Sequence, residues 1–300
     1  MNPAARSIAL KVDADTWRGT REGVPRLARL LLDAGVPATF LFSLGPDHTG
    51  RALRRIFRPG FLAKVRRTSV VSNYGVHTLL YGTLLPGPMI GRLSRTEMRE
   101  VMHQGFEVGV HAYNHVKWQD GVARASLDWT RRQMRLAVEA FTQVFEFAPR
   151  IHGAAGWQIN RHVPMIEREC GFQVASDTRG THAFMPAAGG IPQLPTTLPT
   201  LDELIGRDGA SARDAVATLL ALTAAPAPRS HVFTLHAELE GQAYLSEFSA
   251  LLEGWRSQGY SFTTLGAAAS AHDFAALPRC AIVPGTVPGR AGELAVQAPG

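Results

Sequence analysis

Apolar runs in this chain end repeatedly on aspartate or histidine. Ile8-Ala9-Leu10-Lys11-Val12 leads into Asp13-Ala14-Asp15, and Phe106-Glu107-Val108-Gly109-Val110 leads into His111-Ala112-Tyr113-Asn114-His115. Phe172-Gln173-Val174-Ala175 ends at Ser176-Asp177, and His231-Val232-Phe233-Thr234-Leu235 ends at His236. Segments with helical spacing lie between: residues 24–34, closed by Gly35 and Pro37, then 125–145, 161–170, 211–223 and 243–257. Further strands are expected at 38–42 and 260–265, with a short edge strand at Leu194-Pro195-Thr196. Such alternation predicts a parallel sheet with crossover helices. About seven of these units closing on themselves make an α/β fold of the (β/α) barrel type, whose working residues gather at the C-terminal strand ends. An open doubly wound sheet would gather them at the same ends.

The chain of 300 residues suits one such domain, expected over residues 1–266. From residue 267 on, Ala, Pro and Gly dominate and periodicity fades, so 267–300 is expected to be a poorly ordered tail. Two cysteines, Cys170 and Cys280, do not make a disulfide framework and favour a reducing compartment. No run approaches the ~20 apolar residues of a membrane span, and no signal-peptide pattern is present. A cytoplasmic protein is expected, on or near the cytoplasmic face of a membrane.

Residues 46–95 are too long for an ordinary strand-to-helix connection. They carry Arg51, Arg54, Arg55, Arg58, Lys64, Arg66 and Arg67, with Leu53, Ile56, Phe57, Phe61, Leu62 and Val65 interleaved. Leu79-Leu80-Tyr81-Gly82-Thr83-Leu84-Leu85 follows. This insertion has the character of a basic, amphipathic membrane-surface element with an apolar flap. The plainer alternative is a solvated helix and a loop packed on the barrel. The formal net charge of +6 suits an acidic partner, but no nucleic-acid module is legible and none is expected to bind.

On a helical turn His111 and His115 would face one way and share a metal. Asp15 supplies a carboxylate from another strand mouth, and a His₂Asp set leaves open positions for water and substrate, as in catalytic sites. Asp13 and Asp15 point to one side of their strand, so Asp13 either takes the proton of an attacking water or acts as a further ligand. His236, near its ordinary pKa of ~6.5, would protonate a leaving amine, oriented by Asp177 or Glu238. Arg179 would pair with Asp177 or bind a substrate phosphate. The Tyr113 backbone N–H is a candidate oxyanion donor, and Gly153-Ala154-Ala155-Gly156-Trp157 offers close backbone approach and an aromatic wall. That segment lacks the Gly-x-x-x-x-Gly-Lys-Ser/Thr pattern of a phosphate loop.

In this order the motifs resemble the NodB-type polysaccharide deacetylases. They are most similar to the branch of 4-deoxy-4-formamido-L-arabinose-phosphoundecaprenol deformylases of the ArnD type. The resemblance rests on Val12 to Pro25, Ser43 to Asp47, Gly109 to Ala112, Ala154 to Trp157, Ser176 to Gly180, Leu194 to Thr200, Asp202 to Asp208 and His236 to Gly241. It implies a distorted barrel of about seven strands and a metal-dependent amide hydrolase. Asp13 would be the base and His236 the acid, with Asp15, His111 and His115 on one divalent ion of Zn, Co, Mn or Fe. Tyr113, Trp157, Asp177, Arg179, Glu238 and Glu240 become candidate substrate-binding residues. The implied substrate is a formamido-arabinose on undecaprenyl phosphate at the inner-membrane surface, within lipid A modification and cationic-peptide resistance. An N-deacetylase of another sugar, or a non-catalytic membrane-binding relative, are the alternatives.

The chain departs from the wider family at one motif. Where an Arg-x-Pro is usual it has Gly153 to Gln158, without arginine. Arg179 is the expected substitute.

Overall fold

β1 (Ser7–Ala14) is the strand around which this molecule is organised, and all of it except Ser7 is buried. The computed structural model describes residues 6–52, 78, 80–224 and 230–298. β1 pairs in parallel with β2 (Thr39–Ser43) and β7 (His231–His236), and its first residues pair with β8 (Ser261–Thr263). The sheet continues from β2 through β3 (Glu107–Ala112) and β4 (Ile151–His152) to β5 (Val174–Ala175), every pairing parallel. These seven strands, with crossover helices outside, form the expected distorted (β/α) barrel.

No strand pairing joins β5 to β7. Residues 192–198 bridge them instead. Leu194 N–H donates to Ala175 O at 2.8 Å on one side, and Thr197 N–H to Val232 O at 3.1 Å on the other. Pro192 and Pro195 carry no N–H, so this segment closes the barrel without forming a regular strand.

The period of two along β1 separates two environments. Ile8, Leu10, Val12 and Ala14 pack into the large cluster beneath the outer helices. On the inner face, Ala9 joins Leu41, Ile151, Val174, Leu194, Val232 and Leu265 in a small apolar plug. Burying each large aliphatic side chain there contributes about 1.5–3 kcal/mol. Above the plug the same inner face turns polar: Lys11 and Asp13 are buried, and Asp15 lies just beyond the strand end. The barrel is thus dry at the bottom and chemically armed at the top.

The outer helices match the sequence expectation closely: α1 (Val24–Asp33), α2 (Leu127–Phe145), α3 (Val163–Glu169), α4 (Ala212–Thr223) and α5 (Leu245–Ser257). Among the described residues, no helix is long and apolar enough to cross a membrane.

The C-terminal segment departs from expectation. Far from being poorly ordered, it contains the short helix Leu265–Ser270, β9 (Arg279–Cys280) paired with β6 (Met185–Pro186), and an antiparallel pair of β10 (Ile282–Thr286) and β11 (Glu293–Gln297). Tertiary pairing orders it: Arg179 N–H donates to Ala295 O at 2.9 Å and Gln297 N–H to Arg179 O at 2.8 Å. Composition alone carries no signal of such long-range pairing.

Within the expected insertion, residues 53–77 and Leu79 lie outside the described residues, and most of the basic run with them. Arg51 donates from Nε to Gly82 O at 2.7 Å, and Leu80 to Leu85 form a turn with Leu84 80% exposed.

Candidate active site

The polar end of β1 meets the ends of β3 and β7. His111 is the fifth residue of β3, whereas His115 opens the next helix, His115–Gly121. The two histidines therefore do not share a helical face. The turn Tyr113–Asn114 brings their rings to 5.3 Å between centroids, and Asn114 caps the helix by accepting from Lys117 N–H. Asp15 lies between them, with Oδ1 3.1 Å from His111 Nε2 and Oδ2 3.3 Å from His115 Nε2. One ligand atom from each of the three residues lies within 4.8 Å of the other two.

Two details make this set suitable for a cation. His111 Nδ1 is 2.7 Å from Gly153 O, and a carbonyl oxygen only accepts, so Nδ1 carries the proton and Nε2 faces inward. In a neutral ring that Nε2 is a lone pair opposite a carboxylate, and only a proton or a metal between them relieves the contact. Asp15 Oδ1 is also buried without a hydrogen-bond donor. Burial alone would raise the Asp15 carboxyl, but His115 and His111 outweigh it and hold the group well below the usual carboxylate range. Glu238 supports the turn from below: its Oε1 accepts from Asp15 N–H, Thr16 N–H and Thr16 Oγ1 at 2.9–3.0 Å. A side chain at Gly19 would run into this carboxylate, which explains a glycine there.

Asp13 sits one level deeper and directly opposite His236 in the β1–β7 register. Its basic partner is Lys11, fully buried, with Nζ 3.3 Å from Asp13 Oδ2 and 3.0 Å from Ser176 O. Gly153 leaves room for this chain: a Cβ there would meet Lys11 Cε at 3.0 Å. Lys11, which sequence reasoning passed over, is the cation beside Asp13. The signal was present, since residues 11, 13 and 15 share one face by strand periodicity.

Arg179 is engaged elsewhere. It pairs with Glu203 at 2.5 Å, donates to Leu198 O at 3.0 Å, and lies 5.1 Å from the centroid of the Trp157 ring. It does not pair with Asp177. Trp157 is buried with φ +51°, a backbone state costing roughly 1–3 kcal/mol in a non-glycine residue. Its Nε1–H donates to Thr196 Oγ1 at 3.1 Å, and its ring meets His236 edge-on at 6.3 Å.

His236 is oriented differently from expectation. Asp177 is turned away, accepting from Ala154 N–H at 2.7 Å and contacting His152 Nδ1 at 3.1 Å. Glu238 lies under Asp15, and Glu240 accepts from the His236 backbone N–H at 2.8 Å. The carboxylate nearest His236 Nδ1 is Asp202, at 4.0 Å, a residue whose role the sequence did not reveal. Asp202 accepts from Thr200 Oγ1 at 2.6 Å and from Arg290 Nη2 at 3.0 Å. Asp177, Glu238 and Glu240 therefore brace the site's backbone from buried positions rather than lining its mouth. Tyr113 is half-buried, and its carbonyl accepts from Gly45 N–H at 2.6 Å.

A second buried group lies behind β4. His152 Nδ1 is 2.5 Å from Glu167 Oε1 and 3.1 Å from Asp177 Oδ1. Burial opposes a charge on His152, but Asp177 and then Glu167 outweigh it and raise its pKa to about 10. This group anchors Ala154, and through the chain the Gly153 carbonyl that fixes His111. Beside the Trp157 loop, a half-open cleft of about 1150 Å³ is lined by Gln119, Arg124, Gln158, Arg161, Ile282 and Val283 among others.

Residues 1–175 match the family model described as polysaccharide deacetylase. A protein of Shewanella sediminis named "Probable 4-deoxy-4-formamido-L-arabinose-phosphoundecaprenol deformylase ArnD" is 35% identical over 82% of this chain and 80% of its own. A protein of the same name from Wigglesworthia glossinidia brevipalpis is 31% identical over 93% of this chain and 98% of its own. A crystal structure of a polysaccharide deacetylase from Mycobacterium smegmatis superposes with a TM-score of 0.65 at 17% identity, covering 95% of this chain and all of that one. At that identity the likeness speaks for the fold.

Proposed function

The chain belongs to the polysaccharide deacetylase family, a generally metal-dependent group of hydrolases of amide C–N bonds, and on that premise we propose that it deformylates 4-deoxy-4-formamido-L-arabinose-phosphoundecaprenol. The observation that carries this reading is the convergence of Asp15, His111 and His115 beside the Asp13–His236 pair, in a chain whose relatives bear that substrate in their names.

Asp15, His111 and His115 would hold one divalent ion. When bound, the ion supplies Lewis acidity, polarising the formyl carbonyl and acidifying water. Asp13, held by Lys11, accepts a proton from water as its oxygen adds to the formyl carbon. His236 then gives a proton to the sugar nitrogen as the C–N bond breaks, so a free amine and formate leave. Trp157 forms an apolar wall beside His236 and keeps bulk water from it. The Tyr113 backbone N–H is a donor for the developing oxyanion.

The substrate is both lipidic and anionic. Two features suit it: the basic, apolar-interleaved run from Arg51 to Arg67, and the cleft rimmed by exposed Arg124 and Arg161. On this reading the enzyme works peripherally at the cytoplasmic face of the inner membrane, and its product serves lipid A modification. Purified protein incubated with formamido- and acetamido-arabinose lipid phosphates, with and without chelator, tests the proposal. Formate release from the first, abolished by chelation, is expected. Preferential acetate release from the second would favour an N-deacetylase of another sugar.

A further inference from the structure

The C-terminal segment reaches Asp202, on the His236 side of the site, through Arg290. Arg290 lies in the connection between β10 and β11, and its side chain is 12% exposed. Its Nη2–H donates to Asp202 Oδ1 at 3.0 Å and to Thr200 Oγ1 at 3.1 Å, and its Nε–H to Glu203 Oε1 at 2.8 Å. The guanidinium carbon lies 4.7 Å from the centroid of the Trp157 ring. Gly289 makes this approach possible: its φ is +87°, and a Cβ there would run into the Glu203 carbonyl.

Glu203 does not depend on Arg290. It already closes a capping box with Thr200 and pairs with Arg179. What Arg290 adds is a bond to Asp202 Oδ1, the oxygen 4.0 Å from His236 Nδ1. His236 Nδ1 is buried with no hydrogen-bond partner among the described residues, so it has this one carboxylate to face. A carboxylate so placed orients the ring through Nδ1 and leaves the other nitrogen to deliver the proton. Thr200 Oγ1 also donates to that oxygen at 2.6 Å, but a lone hydroxyl fixes the carboxylate less firmly than the guanidinium and hydroxyl together.

We propose that Arg290 is a positioning residue for the acid: the C-terminal segment docks it on Asp202 so that Asp202 stays against His236. The idea rests on the assignment of His236 as the acid in the proposed function. It predicts that catalysis depends on the connection between β10 and β11, in a segment whose composition alone suggested a poorly ordered tail.

Leaving-group dependence tests it. An alkyl amine, such as the sugar nitrogen, needs a proton to depart, whereas an aryl amine departs with far less assistance. In the full-length protein, Arg290→Ala should lower kcat on a formamido sugar by ~10–100-fold, the range typical of residues that orient a working group from behind. KM and bound metal should not change, and kcat on an aryl formamide should fall by less than about threefold. Arg290→Lys should recover part of the loss, because an ammonium can reach one carboxylate but cannot bridge as a planar fork does. Gly289→Ala, which keeps the arginine in the sequence but pushes its loop off the Glu203 carbonyl, should show the same selectivity between leaving groups. It is also the variant to read if Arg290→Ala does not fold. Equal losses on alkyl and aryl formamides, a raised KM at unchanged kcat, or loss of metal would overturn the proposal. Wild-type enzyme that hydrolyses simple alkyl and aryl formamides but not the sugar lipid would overturn only the proposed substrate, and the comparison is then read on the simple pair.

Discussion

Lys11 Nζ lies 3.3 Å from Asp13 Oδ2, with both side chains essentially removed from solvent. A buried ammonium and a buried carboxylate tolerate that position only together. The pair also fixes which way Asp13 presents its second oxygen, Oδ1, which is buried without a hydrogen-bond donor and lies 3.7 Å from His111 Nδ1.

Lys11→Met should therefore misplace Asp13, the proposed base, while leaving Asp15, His111 and His115 in position. The expected result is a kcat lower by ~10–100-fold with metal content retained. Lys11→Arg should keep more activity than Lys11→Met, since it preserves the charge. Steady-state kinetics with elemental analysis of the purified variants checks both, and unchanged kcat in Lys11→Met would remove Lys11 from the account.

The support beneath the proposed metal ligands can be tested at Glu238. Its Oε1 accepts three donors, from Asp15 N–H, Thr16 N–H and Thr16 Oγ1. Glu238→Gln keeps an oxygen for all three and should bind metal nearly as well as the wild type. Glu238→Ala strands them at about 1–3 kcal/mol for each buried group left unpaired. It should lower both thermal stability and metal affinity, measured by calorimetric unfolding and metal titration.

Buried charge behind β4 sets a pH dependence of stability. His152 has its pKa raised to about 10, so its contribution is fully present below its unfolded value of ~6.5 and is lost as pH rises through 10. Asp177 is the opposite case: burial would raise it, but His152 beside it holds it well below the carboxylate range. Its contribution is present above ~4 and is lost as pH falls through its folded value. Burial pushes Glu240 up to about 8, so its contribution is present below its unfolded value of ~4.3 and is lost as pH rises through 8. Glu167, raised by burial and by Asp177, acts in the same sense, so stability should be greatest near pH 4 and decline from there toward pH 10. His152→Gln should flatten the upper part of that decline, and His152→Ala should cost about 3–5 kcal/mol by leaving buried acids uncompensated. Thermal unfolding across pH checks it.

The fold and half of the site were legible in the sequence because both follow local periodicities. Asp13, Asp15, His111 and His236 stand at strand ends, and the strands and helices announce themselves by spacing. Lys11 was equally accessible by the same period of two, but an isolated lysine inside an apolar run suggests an edge rather than a buried partner. His111 and His115 did meet, though through a strand, a turn and a helix start rather than one helical face. Asp202 and Arg290 were out of reach, because their contacts join distant segments that share no period. The C-terminal strands were missed for the same reason: short β10 and β11 are ordered by what they pair with, not by their Ala/Pro/Gly-rich composition.

The central claim is that Asp15, His111 and His115 hold a divalent metal while Asp13 moves a proton. Metal bound per chain, measured by elemental analysis after dialysis, tests it most directly on wild type, Asp13→Asn and His115→Ala. The account predicts about one ion per chain in the wild type and in an inactive Asp13→Asn, and little in His115→Ala. Undiminished metal in His115→Ala, or full turnover in Asp13→Asn, would contradict it.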